Sequence, residues 1–93
     1  MQIQLTHHAR SRLQQRGISA SVLDCLVKFG RKAHDHRGAE IRYFDHCSRS
    51  KLFDAIGRDS FRRIEDKLDT YVVLSNDGVV ITVGHRTKRI HIN

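Results

Sequence analysis

Proline is absent from this 93-residue chain, and cysteine is limited to Cys25 and Cys47. With no proline and 39% hydrophobic residues, the composition is that of a folded domain and excludes a disordered tail. Two cysteines far apart in the sequence exclude a disulfide framework and a zinc knuckle. Cys25 shares helical spacing with Val22, Leu26 and Phe29 and reads as a small core hydrophobe. Cys47, following His46, is expected at a strand end. Long hydrophobic runs are missing as well: the longest stretch, Val79-Val80-Ile81-Thr82-Val83, is far too short to span a bilayer. The opening Met1-Gln2-Ile3-Gln4-Leu5-Thr6 lacks the apolar centre of a secretory signal, so the expected location is the cytoplasm, away from any membrane.

Acidic residues are also scarce. Ten stand against 17 lysines and arginines, a formal charge of +7 before seven histidines are counted, with a pI near 10.1. Arginine heavily outnumbers lysine, which favours planar, bidentate contacts with phosphate. Such an excess in a small cytoplasmic domain points to nucleic acid or an acidic protein partner, against the plainer alternative of a merely basic surface. The length allows one small domain, residues 1–93, burying roughly 60–65% of its extended surface.

Ile3 and Leu5 alternate with glutamines, as in a short opening strand or an ordered arm. Thr6 can cap a helix running to about Gln15, with Gly17 as its left-handed stop. Ser19 caps a second helix through about Phe29, ended by Gly30. Residues 31–38 are polar and histidine-rich and read as a loop; residues 39–44 have the character of a strand. Helical spacing returns over residues 48–68, broken at Gly57, with Asp59 or Ser60 as the cap of the later helix. Residues 70–75 and 79–86 form a hairpin around Asn76-Asp77-Gly78, and Ile90 and Ile92 suit a frayed final strand. The order β-α-α-β-α-α-β-β gives an α+β domain with helices packed on an antiparallel sheet.

His8, Arg12 and Arg16 stand at i, i+4 and i+8 and form one stripe, while Ala9 and Leu13 fall on an adjoining face that can pack inward. A row of cations weakens a helix by self-repulsion, so the stripe asks for a polyanion that neutralises it. On the last strand, alternation puts Val79, Ile81, Val83 and His85 on one face, and Val80, Thr82, Gly84 and Arg86 on the other. His85 then ends an apolar row at the sheet rim, beside Arg86, Lys88 and Arg89. Rim burial near cations disfavours protonated imidazole and suits a general base. The plainer reading has His85 bonding a backbone carbonyl. Gly84 leaves a gap where a ligand backbone can approach closely.

His8-Ala9, Arg12-Leu13 and Arg16-Gly17-Ile18, with the closing Val80-Ile81-Thr82-Val83-Gly84-His85-Arg86, resemble a family of small bacterial domains. Those domains open on a His-Ala-x-x-Arg-Met/Leu-x-x-Arg-Gly-Ile motif and finish on an Ile-Thr-Val hairpin strand, so the resemblance spans nearly the whole chain. That family is similar in turn to the RelE/ParE/BrnT-type toxins, within the wider barnase-like and colicin-like ribonuclease group. This second likeness rests on helix-hairpin-then-sheet order and basic character.

The resemblance implies a RelE-like α+β fold: an N-terminal helical hairpin packed on an antiparallel sheet, with RNA on the concave basic side. The helical pair inserted before the final β-hairpin departs from the simplest RelE plan. It further implies a ribonuclease toxin of a toxin–antitoxin system that needs no metal or other cofactor. The ribose 2′-OH would attack the adjacent phosphate, a base would accept its proton, an acid would protonate the leaving 5′-oxygen, and cations would stabilise the phosphorane. Catalytic residues vary between RelE-type branches, so no role transfers directly. On this expectation His85 and His8 carry the proton transfers, in either order, and Arg12, Arg16, Arg86, Lys88 and Arg89 hold phosphate. The expected partners are RNA, free or ribosome-bound, and a cognate antitoxin.

Other signals have simpler accounts. His34, Asp35 and His36, with His46 and Cys47 downstream, invite a metal site, but an unpaired motif in a loop reads as solvated, so no metal is expected. Arg49, Lys51, Arg58, Arg62 and Arg63 interleave with Asp59, Glu65 and Asp66, and pairing of Arg62 with Asp59 or Asp66 follows from spacing. Tyr43 and Tyr71 suit sheet packing before base stacking. Two rivals to the ribonuclease remain: a non-catalytic nucleic-acid-binding module and a protein-interaction module of the same fold.

Overall fold

In the computed structural model, which describes residues 3–34 and 38–86, the first helix forms where its caps bracket it. Helix α1 (His7–Arg16) starts at Thr6, whose hydroxyl accepts a bond from the Ala9 N–H at 3.1 Å. It stops at Gly17, left-handed at φ 63°, where the N–H groups of Gly17 and Ile18 bond back to Gln14 and Leu13. Helix α2 (Ala20–Phe29) is capped by the Ser19 hydroxyl and buries Val22, Leu23 and Leu26. The two follow one another through the expected turn at Gly17, but they pack on different partners: α1 lies on the last strand, while α2 packs against the next helix and the sheet, so the expected helical hairpin is not a packed pair.

The chain then departs from expectation. Residues 31–34, read as loop, form strand β1 (Arg31–His34), which pairs antiparallel with β2 (Glu40–Tyr43). Asp35, His36 and Arg37 between them lie outside the described residues. Helix α3 (His46–Ile56) begins at Asp45 with a reciprocal capping box: the Asp45 carboxylate accepts from the Ser48 N–H, and the Ser48 hydroxyl accepts from the Asp45 N–H. Cys47 therefore occupies the first turn of a helix, not a strand end. Helix α4 (Arg58–Ile64) starts straight from Gly57, with no side-chain cap from Asp59 or Ser60, and runs into a 3-10 turn over Glu65–Lys67.

Strands β3 (Thr70–Leu74) and β4 (Val80–His85) complete an antiparallel sheet in the order β1-β2-β3-β4. The hairpin turn is closed by the Ser75 hydroxyl, which bonds Asp77 and accepts from the Val79 N–H. The opening residues are an ordered arm: Leu5 pairs in parallel with Val80 on the outer edge of β4, the Val80 N–H donates to Gln4, and the Thr6 N–H donates to Val80. The proposed final strand around Ile90 and Ile92 lies outside the described residues.

Residues directly opposite one another in an antiparallel sheet share a face. Register pairs Arg42 with Val72 and Val72 with Val83, so these lie on one face, and α2 packs against it. Val72, Leu74, Val80 and Val83 join Leu26, Phe44, Leu52 and Leu68 in a single buried cluster. A bulge opposite Val73 and Leu74 resets the alternation of β4, so Val80 turns into the core and Ile81, expected beside Val83, points out at 37% exposure. The result is an α+β fold with a helical pair inserted before the final hairpin. Among the described residues, no helix is long and apolar enough to cross a membrane.

Candidate nucleic-acid interface

Helix α1 runs along the outer edge of β4, and side chains tie the two at both ends. The Thr6 hydroxyl, while capping α1, donates to the Ile81 carbonyl at 3.0 Å. Two residues on, His8 Nε2 lies 3.2 Å from Thr82 Oγ1. At the far end His85 Nε2 stands 2.8 Å from the Arg16 carbonyl. A carbonyl only accepts, so His85 donates from Nε2. The acceptor belongs to the last residue of α1, whose carbonyls have no partner further along the helix; His85 is thus a C-terminal cap. It is exposed, not lodged at a buried rim as expected.

The seam gathers His8, Arg12, Arg16 and His85. Ala9 is fully buried beneath it and Leu13 packs on the core, which fixes the rotation of the helix and turns His8 and Arg16 to solvent. Helix α1 contains no acidic residue. Among the described residues, ion pairs join Lys28 to Asp24, Arg31 to Asp45, His34 to Glu40, Arg42 to Glu40 and Arg49 to Asp69, and none involves α1. Arg12 is half-buried, and its Nε finds no acceptor among the described residues. An unsatisfied guanidinium nitrogen beside unpaired cations is costly for folding alone.

Arg86 is not part of the α1 row, although it shares the sheet face of Thr82 and Gly84. It follows His85 and so points to the opposite side of the sheet. There its guanidinium sits 4.9 Å from the Tyr43 ring centroid and donates to the Phe44 carbonyl at 3.0 Å, while its own N–H bonds Asp69. Its half-buried guanidinium is thus engaged by Tyr43 and the Phe44 carbonyl on the face that also carries Tyr71. Lys88 and Arg89 lie outside the described residues. The contacts of His8 and His85 are three residues apart on β4, about 10 Å of strand. The two imidazoles therefore mark opposite ends of the seam and do not face each other across one phosphodiester.

The sheet face opposite α2 carries two rows across all four strands. Register aligns Arg31, Tyr43, Tyr71 and Gly84 in one, and Ala33, Ile41, Val73 and Thr82 in the other. The gap expected at Gly84 is filled: a Cβ there would lie 2.9 Å from the Tyr71 hydroxyl and ring. Tyr71 therefore leans across to β4 and lies over Gly84, and Thr82, bonded to His8, adjoins it on the same face. This places an aromatic row next to the cationic seam. Sequence alternation placed Thr82 and Gly84 on one face, but it showed neither strand β1, nor the bulge at Ile81, nor the register between strands, which is what assembles the row.

Elsewhere the titratable groups do structural work. Burial pushes the Asp45 carboxyl up, but bonds from the Ser48 backbone and hydroxyl and from Arg31 outweigh it and hold the group below its ordinary range. Burial beside Asp24 raises the Cys25 thiol, as befits an inert core cysteine. Among the described residues, no three histidine, cysteine, aspartate or glutamate side chains gather as metal ligands; Asp35 and His36 fall outside them. The expected pairing of Arg62 does not form, and the ion pair in that region is Arg49 with Asp69. No family model, curated protein or solved structure matches the chain.

Proposed function

We propose that this chain is an RNA-binding domain of the RelE/ParE/BrnT type, holding the RNA backbone against the α1 seam through Arg12, Arg16 and His8. One observation carries the reading: among the described residues, α1 presents a row of cations with no carboxylate within 4.0 Å, although acidic residues pair with cations elsewhere on the molecule. Protein carboxylates are the ordinary partners of arginine, and where they are withheld, phosphate is the anion that suits a forked guanidinium. Binding of a labelled RNA measured across salt concentrations tests it. Affinity should fall steeply with salt, and Arg16→Gln should weaken binding and reduce the log–log slope by about one. Salt-independent binding, or an unchanged slope in that variant, would remove α1 as the phosphate contact.

A second reading adds metal-independent cleavage of the bound RNA, as in a ribonuclease toxin checked by an antitoxin. It is favoured by His8, an exposed imidazole at the seam beside Thr82 and one turn from Arg12. In that scheme His8 accepts the 2′-OH proton as O2′ bonds to phosphorus, the two arginines stabilise the phosphorane, the P–O5′ bond breaks with the 5′-oxygen taking a proton from water, and His85 holds the end of α1 in place. Products ending in a 2′,3′-cyclic phosphate, formed in the presence of chelator and lost in His8→Ala, are the expected result. RNA binding without cleavage would leave the non-catalytic module, and failure to bind RNA would leave the protein-interaction module.

A further inference from the structure

Tyr71 is placed as a surface and not as a plug. Its tip crosses to β4 over Gly84, a position where any Cβ would displace it. It is half-buried, so part of the side chain stays open to solvent. Its neighbour in the row, Tyr43, is 4% exposed beneath the Arg86 guanidinium. Among the described residues, Tyr71 has neither a cation nor another ring against it, and its hydroxyl makes no hydrogen bond. A part-open ring seated on glycine, with no ring or cation stacked on it among the described residues, is an available stacking partner for a planar group.

What would stack there follows from its neighbours. Thr82 lies two residues from Gly84 on the same face, about 6–7 Å along the strand, and bonds His8 at the start of the cationic seam. A nucleotide whose phosphate contacts that seam can therefore turn its base onto Tyr71. We infer that Tyr71, seated over Gly84, is the stacking platform for an unpaired nucleobase, so that the RNA is single-stranded where it crosses β4. This rests on the RNA-binding reading above and adds to it the class of RNA. Paired bases in a duplex are stacked on each other and cannot reach such a ring, whereas splayed bases stack on aromatic side chains. Gly84 acts through Tyr71 as a positioning residue. Its φ lies outside the left-handed region, so alanine fits the backbone, and only the ring must move.

The test compares one labelled RNA, single-stranded and annealed to its complement, at fixed moderate salt. Wild type should prefer the single strand, and Tyr71→Ala should lower single-strand affinity about tenfold or more while duplex binding and the salt slope stay put. Tyr71→Phe should keep the preference, because the π face and not the hydroxyl is used. Gly84→Ala should match Tyr71→Ala while raising no further loss in the double variant, and quenching of tyrosine fluorescence by the single strand should vanish with either. Unchanged melting temperatures for Tyr71→Phe and Gly84→Ala exclude a folding defect. If wild type binds RNA but treats both forms alike, or Tyr71→Ala binds as wild type does, the platform is wrong and the phosphate seam stands. If wild type binds no RNA, the functional reading itself falls and the platform with it.

Discussion

Asp45 illustrates how much one carboxylate can organise. It caps α3, receives the Ser48 N–H and hydroxyl, and pairs with Arg31 at 3.0 Å, so three segments meet on it. Asp45→Ala should cost about 1–2 kcal/mol in denaturant unfolding. Because the fold holds this carboxyl below its ordinary 3.8, its contribution is full above that value and drains as pH falls through the folded value. Asp45→Asn can still cap the helix but cannot titrate, so its stability should vary less between pH 5 and pH 2 than wild type in thermal scans. His85 is a similar case. Because it caps the Arg16 carbonyl, His85→Ala should lose about 0.5–1.5 kcal/mol of stability, so any loss of cleavage in that variant must be read against its melting temperature.

Which elements could be read from sequence depended on where their signals lie. The first two helices were legible because Thr6, Gly17 and Ser19 are local signals, each sufficient within its own turn, whereas their packing on different partners was not. Strand β1 was not, since Arg31-Lys32-Ala33-His34 has neither alternation nor β-branching and is extended only because β2 pairs with it. The start of α3 was missed because its capping box uses aspartate with serine in place of the usual serine or threonine with glutamate. In the candidate site, the α1 stripe followed from 3.6-residue spacing alone. The capture of Arg86 by Tyr43 and Phe44 did not, because it joins residues more than forty positions apart. Thr6 is where local and distant signals coincide: it caps α1 and also donates to Ile81. Thr6→Ala should therefore cost about 1–2 kcal/mol and speed amide exchange at Val80, while Thr6→Ser, which keeps both bonds, should do neither.

At the scale of the molecule, a formal charge of +7 with an unpaired cationic helix means the folded state works against its own repulsion. Moderate salt without any ligand should raise the melting temperature, since it screens that repulsion within a Debye length of about 10 Å at 0.1 M. A flat or falling response would mean that the internal ion pairs outweigh it. The arm laid along β4 has its own consequence for self-association. With that rim occupied by residues 4–6, the strand order leaves β1 at the other end of the sheet. Two copies joined through β1 by a twofold axis would consume that rim on both, and growth would stop at a pair, so the architecture resists the endless lateral propagation that builds fibres.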